Sequence, residues 1–101
     1  MRIRRTNIFD KWLEKLKDNK ARDKIIVRIK RIEQTNNLGD YKSVGDNVYE
    51  LRIDYGCGYR VYFTFNGNEI IILLCGGDKS TQQKDINKAK IINKQKDELL
   101  W

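Results

Sequence analysis

The first third of the chain has the hydrophobic period of helices. From Thr6 onward, apolar residues recur at the i, i+3, i+4 and i+7 spacing that marks one helix face: Phe9, Trp12, Leu13 and Leu16. Either Thr6 or Asn7 can cap this helix. The polar stretch "KDNK" at residues 17–20 interrupts the period. The helical period then resumes in a second predicted helix, which has four apolar residues on one side: Ala21, Ile25, Ile29 and Ile32. We therefore predict an antiparallel helical hairpin, preceded by a short edge strand at "RIRR".

The middle of the chain is rich in β-branched and aromatic residues, which favours strands. Three runs have this character: "VYELRIDY", "YRVYFTF" and "EIIILLC". The dipeptide Asn66-Gly67 predicts a type I′ hairpin, which places Phe63 opposite Ile70. The "GCG" at residues 56–58 predicts a three-residue loop, which places Ile53 opposite Val61.

These registers predict the two faces of the sheet. The core face, beneath the helical hairpin, is expected to carry Tyr49, Leu51, Ile53, Tyr59, Val61, Phe63, Phe65, Ile70, Ile72 and Leu74. The other face carries polar residues together with Ile71 and Leu73, so we expect it to be partly covered.

The stretch "ILLCGGDKSTQ", residues 72–82, predicts a strand that ends at two glycines and is followed by a helix. Ser80 and Gln83 fit a capping box, and Ile86, Ala89 and Ile92 supply a modest apolar stripe. The three apolar residues that end the tail "KQKDELLW" are expected to fold back or to dock on a partner. The order β-α-α-β-β-β-α predicts a single α+β domain over residues 1–101, with helices on a small, mainly antiparallel sheet.

The charge points to a polyanionic partner. The net charge is +7 and the pI about 9.5, which favours RNA, DNA, an anionic surface or an acidic protein. The chain has no histidine, and its two cysteines, Cys57 and Cys75, form no CxxC. We therefore expect no metal and no cofactor, and thiols rather than a disulfide. With no apolar run long enough for a membrane span and no secretory signal, we expect a cytoplasmic protein.

Two chemical interpretations of the glycine-rich stretch are weak. A phosphate-binding P-loop needs Gly and Lys adjacent, but Asp78 intervenes and the upstream glycine is missing. A two-metal site needs clustered carboxylates, and the best pair, Asp54 and Asp78, has basic neighbours. Asp54 is instead expected to form a cross-strand ion pair with Arg60.

A basic site remains. In the predicted register, Arg52, Arg60 and Tyr62 share the outer face, and Lys79 reaches the same cleft beside the start of the last helix, whose free N–H groups favour phosphate. The alternative is that Arg52 and Arg60 only pair with Glu50 and Asp54. A second basic stripe, formed by Lys24, Arg28 and Arg31, is either an RNA-binding surface or a solvated helix face.

The segments "VYELRIDYGCGYRVYF" and "ILLCGGDKSTQQKDINKA" resemble the RelE/ParE toxin superfamily, in its HigB-like "addiction module killer protein" branch. The resemblance runs from "FDKWL" to "NKAK". It implies the toxin of a type II toxin-antitoxin module, with a partner antitoxin that usually carries a helix-turn-helix. RelE-like members cleave mRNA in the ribosomal A site without a metal. ParE-like members share the fold and poison DNA gyrase.

The resemblance also implies residue roles. Arg60, in "GYR", matches the arginine that RelE-like toxins place at the scissile phosphate, and Lys79 lies where those toxins have a second basic residue. When the resemblance is combined with the predicted outer face, the expected catalytic residues are Arg60, Lys79 and Tyr62. The chemistry of the site leaves Tyr62, Lys79 or Lys84 to carry the proton. The expected RNA-binding residues are Arg52, Lys84, Lys24, Arg28 and Arg31. A gyrase inhibitor without nuclease activity and a non-toxic nucleic-acid-binding module stay open as alternatives.

Overall fold

The computed structural model describes residues 1–99, with side chains for residues 1–96, and has five strands and three helices in this part of the chain. In chain order they are β1 (Arg2–Arg5), α1 (Asn7–Lys15), α2 (Asn19–Thr35), β2 (Tyr41–Gly45), β3 (Val48–Ile53), β4 (Tyr59–Asn66), β5 (Ile70–Asp78), a 3₁₀ turn (Lys79–Thr81) and α3 (Gln82–Leu99). The sheet order is β1-β5-β4-β3-β2, with β1 parallel to β5 and the other neighbours antiparallel. The predicted α+β class is confirmed. The apolar tail side chains, expected to dock or fold back, lie outside the described part.

Thr6 fixes the start of α1 to the sheet. Its buried hydroxyl accepts from the backbone N–H of Phe9 at 3.1 Å and donates to the carbonyl of Leu74 at 2.7 Å. The hydroxyl therefore satisfies one of the free N–H groups of the helix start while it binds β5. Of the two predicted caps, Thr6 is the one used. Asp18 caps α2 in the same way, accepting from the N–H groups of Lys20 and Ala21.

Strand β2 is absent from the predicted order. Its sequence, "YKSVG", is largely polar and mostly exposed, because an edge strand of an antiparallel sheet needs no apolar face. The turn that joins it to β3 has Asp46 and Asn47 at φ 56° and 61°. Both central residues of a type I′ turn are left-handed, so the "DN" dipeptide was the available signal for this hairpin.

The predicted register of β4 and β5 is wrong. Phe63 lies opposite Leu73 rather than Ile70, which instead faces Asn66. The reason is the turn: Asn66 stays in β4, the connection spans residues 67–69, and Gly67 takes the left-handed position at φ 71°. Asn66-Gly67 therefore does not form the two-residue type I′ turn that the dipeptide favours.

This slip reverses the faces predicted for β5. Ile71 and Leu73 pack in the core under α1 and α2, whereas Ile72 and Leu74 pack in a second cluster under α3. An odd shift in register moves every side chain of a strand to the opposite face. An irregularity between Tyr62 and Phe63 then changes the pairing once more toward the end of β5.

The β3–β4 register is also wrong, but by two residues, so the faces are kept. Ile53 pairs with Tyr59, and Arg52 lies opposite Arg60. The connection is a five-residue loop, residues 54–58, closed by a hydrogen bond from the Gly58 N–H to the Tyr55 carbonyl at 3.0 Å. Gly56 and Gly58 have φ 59° and 81°, which glycine adopts without a steric penalty.

Two apolar layers hold the sheet. One joins α1 and α2 to the face that carries Leu51, Ile53, Val61, Phe63, Ile71 and Leu73. The other joins α3 to Val48, Tyr62, Ile72, Leu74 and Cys75. Ala89 and Ile92 are buried there and Ile86 packs beside them, which confirms the predicted stripe on the last helix. Across residues 1–99, no helix has the length and apolar character that a membrane span needs.

Candidate functional site

An open cleft of about 370 Å³ lies where β3 ends and β4 begins, beside the end of β5. The five-residue loop forms one wall of it. Three predicted basic residues line it: Arg52 from β3, Arg60 from β4 and Lys79 from the 3₁₀ turn. Ile53, Tyr59 and Asp40 also line it. The fold thus brings together residues that are up to 39 positions apart in the sequence.

Arg60 is the most enclosed of these cations. Its side chain is 13% exposed, and Nη1 donates to the Gly58 carbonyl at 3.0 Å. Its ion pair is with Glu50, at 3.7 Å between Nε and Oε2. The predicted pair with Asp54 is wrong, because the longer loop moves Asp54 out of the position opposite Arg60. Arg52 pairs instead with Asp40 at 3.0 Å.

Beneath the cleft lies Glu50, a carboxylate whose side chain has no exposed surface. Its Oε2 accepts from the Tyr62 hydroxyl at 3.2 Å and from Gln82 Nε2 at 2.8 Å. Lys42 approaches Oε1 to 4.0 Å. Sequence reasoning considered Glu50 only as a surface partner of an arginine. Glu50 is buried because it lies on the face of β3 that α3 covers.

Tyr62 does not reach the cleft. It is fully buried, and burial, followed by the neighbouring Glu50 carboxylate, raises the pKa of its hydroxyl well above the usual value. The tyrosine at the cleft is Tyr59, which also packs against the core under α1 and α2, on the face where the sequence predicted it. Its interaction with the Cys57 side chain, ahead of burial, raises the pKa of Tyr59 to about 12, so it stays protonated at neutral pH.

The segment that carries Lys79 differs from the predicted capping box. Asp78, not Ser80, caps the turn: its Oδ1 accepts from the Ser80 N–H at 2.8 Å and from the Ser80 hydroxyl. The two glycines near the end of β5 give room to side chains of the protein. An added Cβ at Gly76 would lie 2.4 Å from the Trp12 ring, and one at Gly77 would lie 1.9 Å from Asp85 Oδ2. Side chains of the protein itself fill that space.

The basic stripe on α2 divides into two kinds of residue. Arg28 donates to the carbonyls of Leu38, Asp40 and Arg52 at 2.8–3.1 Å, so it ties α2 to the chain that leads into β2. Burial, with Arg31 adding to it, lowers the pKa of Arg28. Lys24 and Arg31 are exposed, and Lys24 Nζ lies 5.1 Å from the centroid of the Tyr55 ring.

A second open groove, of about 450 Å³, runs along this stripe and contains Lys24, Arg28 and Arg31. Ile53 and Asp54 line both this groove and the cleft, so the two are adjacent. Lys84, also predicted to bind RNA, is exposed on α3 and does not line the cleft.

The two cysteines are separate. Cys57 is exposed at the cleft and Cys75 is buried, and both are free thiols. The predicted register placed Gly58 opposite Cys75, but Cys75 faces Tyr62. Burial raises the pKa of the Cys75 thiol to about 12.

Comparison with known proteins finds two similarities. A model of the family described as "Phage derived protein Gp49-like (DUF891)" matches residues 11–97. A protein of Haemophilus influenzae (strain ATCC 51907 / DSM 11121 / KW20 / Rd), described as "Uncharacterized protein", is 55% identical over 92 residues. These residues cover 91% of this chain and 92% of that protein.

Proposed function

The chain belongs to the Gp49-like family of phage-derived proteins, a toxin-like family of addiction modules, and from this premise we propose that it is a toxin that cleaves mRNA. In this proposal it is a RelE/ParE-type, HigB-like toxin of a type II toxin-antitoxin module. It acts on the ribosome, needs no metal, and arrests translation and growth. Its partners are the ribosome, mRNA and a cognate antitoxin, expected to be of the helix-turn-helix type.

The observation that carries the proposal is the convergence of Arg52, Arg60 and Lys79 in one open cleft of a chain with net charge +7. RNA cleavage of this kind begins when a 2′-oxygen attacks the adjacent phosphorus and its proton leaves. The phosphorus–O5′ bond then breaks, and the 5′-oxygen takes up a proton. The products are a cyclic phosphate and a free 5′-hydroxyl.

The cleft suits the charge that develops on phosphorus. Arg60 is held in place by its bond to the Gly58 carbonyl and its ion pair with Glu50, and a donor fixed in advance stabilises a transition state without reorganising. Lys79 also lines the cleft and is exposed, so it supplies a second cation. Arg52 lies directly opposite Arg60 in the sheet and holds the neighbouring RNA backbone.

In this proposal the Lys79 ammonium gives the proton to the leaving 5′-oxygen, and water takes the proton of the 2′-hydroxyl. Tyr62 carries no proton, because it is buried outside the cleft. General acid–base help contributes only about 10²–10⁴-fold. A site with a weak proton carrier depends strongly on how the substrate is held, which is why we propose that the ribosome presents the mRNA.

The test is induction of the protein in growing cells, followed by primer extension on several mRNAs. Wild type is expected to stop growth and to produce cut mRNA. Arg60→Ala is expected to lower cleavage by about a hundredfold or more, the loss typical of one transition-state donor, with an unchanged circular dichroism spectrum. Arg2→Ala is the matched control: Arg2 is an exposed arginine beside Ile70, at the opposite end of β5 from Lys79.

Three outcomes contradict the proposal. A folded Arg60→Ala protein that cuts mRNA as the wild type does would remove Arg60 from the site. Growth arrest with intact mRNA and altered DNA supercoiling would favour a gyrase inhibitor. If the protein causes no growth defect when it is induced without an antitoxin, a nucleic-acid-binding module would be favoured.

A further inference from the structure

We propose that Glu50 is a positioning residue that holds the Arg60 guanidinium in the cleft. The proposal rests on the proposed function for its effect on RNA cleavage, but the arrangement of the two side chains can be tested without any substrate. Glu50 does not line the cleft, so it acts through Arg60 and not on the ligand.

The burial of Glu50 needs an explanation. A carboxylate removed from water costs several kcal/mol unless charges and hydrogen bonds compensate. The side chain of Glu50 is wholly inaccessible, and its Oε2 already accepts from Tyr62 and Gln82. These two neutral donors fix the carboxylate in place, and the cations Arg60 and Lys42 supply the opposing charge.

The contact with Arg60 is Coulombic rather than a hydrogen bond. The 3.7 Å between Arg60 Nε and Glu50 Oε2 exceeds the usual N–H···O distance. Arg60 Nε and Glu50 Oε1 are both buried and lack a hydrogen-bond partner among the residues that the structure describes. The carboxylate therefore attracts the Nε side of the guanidinium inward, while Nη1 is held by the Gly58 carbonyl.

This geometry assigns Glu50 a role beyond packing. With its inner side held by Glu50 and one outer nitrogen held by the loop, Arg60 keeps the orientation in which it lines the cleft. Gln82 opens α3, so the same carboxylate also links the start of the last helix to the arginine. A purely structural glutamate would stabilise the fold without controlling how Arg60 behaves.

The test observes the Arg60 side chain directly by NMR in ¹⁵N-labelled protein. The Nε–H signal is assigned by its loss in Arg60→Lys. In the wild type we expect the Arg60 Nε–H signal to have a chemical shift that differs from those of exposed arginines. In Glu50→Gln we expect this signal to move toward the values of exposed arginines and to exchange with water at least about tenfold faster, since its oriented charge partner is gone.

The matched control is Asp54→Asn, which removes a carboxylate from the lining of the same cleft. Asp54 forms no ion pair with Arg60 in the described residues, so the Arg60 signal is expected to stay in place. The control also separates the positioning of Arg60 from the loss of one negative charge near the cleft, which both substitutions share.

Cleavage in a translating extract supplies the functional arm. Glu50→Gln is expected to lower the rate by up to about a hundredfold, the scale of a small misplacement of a reacting group. In an Arg60→Lys background it is expected to lower the rate no further, because residues that act as a unit are not additive. If the wild type cuts no RNA, the proposed function fails, while the NMR arm still decides the role of Glu50.

An unchanged Arg60 signal in folded Glu50→Gln overturns the proposal. The proposal also fails if Glu50→Gln lowers cleavage by the same factor in the Arg60→Lys background as in the wild type. Should Glu50→Gln fail to fold, Tyr62→Phe replaces it. That change removes one donor from Oε2 and leaves the carboxylate free to approach Arg60, so the signal is expected to shift. An Arg60 signal that does not respond to Tyr62→Phe then contradicts the positioning role.

Discussion

At the scale of single residues, the two glycines at the end of β5 serve contacts inside the protein. The Trp12 ring lies over Gly76 and the Asp85 carboxylate lies over Gly77. Trp12 packs against the core, whereas Asp85 is held at its tip by the Thr81 hydroxyl at 2.6 Å. An indole ring in a packed layer has less room to move than the end of a carboxylate side chain.

We therefore predict different costs for an added methyl group at these positions. Gly76→Ala forces the Trp12 ring to shift and is expected to lower the free energy of unfolding by about 1–3 kcal/mol, as overpacking does. Gly77→Ala displaces a flexible carboxylate and is expected to cost about 1 kcal/mol, the loss of the Thr81 hydrogen bond. Urea unfolding of both variants measures the difference. If Gly77→Ala lowers the free energy of unfolding more than Gly76→Ala does, the prediction is wrong.

The buried thiol of Cys75 makes stability depend on alkaline pH. Burial raises its pKa from 9.0 to about 12. A folded-state pKa above the unfolded value stabilises the fold fully below pH 9, and this contribution is lost as the pH rises from there toward 12. We expect the stability difference between wild type and Cys75→Ala to narrow by about 1 kcal/mol between pH 8 and pH 10.

Urea unfolding at the two pH values measures that narrowing. Cys57→Ala is the control, since Cys57 is exposed and its removal leaves the buried thiol in place. A difference between wild type and Cys75→Ala that stays constant with pH would show that Cys75 ionises equally in both states.

At the scale of elements, the turns decide what sequence reasoning could and could not predict. The helices followed from their apolar period and from Thr6, because both signals are local. The register of β4 and β5 did not, because Asn66-Gly67 has the composition of a type I′ turn and yet Asn66 remains in the strand. Since one wrong turn shifts a whole strand, the error moved Ile71 and Leu73 to the wrong face.

The candidate site was also predictable only in part. The predicted outer face of the sheet brought Arg52 and Arg60 together beside Lys79, and the cleft contains all three. The resemblance in sequence singled out Arg60 and Lys79. The buried role of Glu50 and the enclosed position of Tyr62 were not predictable, because both depend on α3 covering that face of the sheet. Whether α3 packs on that face depends on contacts between distant segments of the chain, and no local sequence pattern encodes those contacts.

The location of the type I′ turn can be tested by substitution. Asn47 is left-handed, with φ 61°, and this conformation costs residues with a Cβ about 1–2 kcal/mol. Asn tolerates it better than most. We expect Asn47→Ala to lower the free energy of unfolding by about 1 kcal/mol and Asn47→Gly to leave it unchanged or to raise it.

Asn66 is the matched control for that prediction. It precedes a glycine, as a residue in a type I′ turn would, but it lies in β4. Asn66→Ala is expected to change stability by less than about 0.5 kcal/mol, the usual range of a surface substitution. Thermal or urea unfolding of the three variants gives the answer. A larger cost at Asn66 than at Asn47 would show that the turn lies where the dipeptide suggests.

At the scale of the whole molecule, the cleft and the α2 groove form one basic surface. They share Ile53 and Asp54 as lining residues. If the proposed RNA strand occupies the cleft, it can therefore continue along Lys24 and Arg31. Arg28 lies between them, but its guanidinium is engaged by three backbone carbonyls. The cations that are left to bind phosphate are therefore Lys24 and Arg31 in the groove. The cleft adds Arg52, Arg60 and Lys79.

The salt dependence of RNA binding tests whether the strand follows this surface. For single strands, the logarithm of the binding constant falls with the logarithm of salt concentration with a slope of about −0.7 for each phosphate contact. Three contacts in the cleft give a slope of about −2, and two more in the groove bring it to about −3.5. Fluorescence anisotropy with a short single-stranded RNA, over a series of salt concentrations, measures the slope for the protein without the ribosome.

The double variant Lys24→Ala/Arg31→Ala is expected to make the slope shallower by about 1.4, the share of two contacts. Arg4→Ala/Lys11→Ala removes the same net charge from exposed positions on β1 and α1 and is expected to leave the slope unchanged. If both double variants shift the slope equally, RNA responds to the net charge of +7 rather than to a defined path. If neither shifts it, the strand contacts the cleft alone, and the α2 stripe is a solvated helix face.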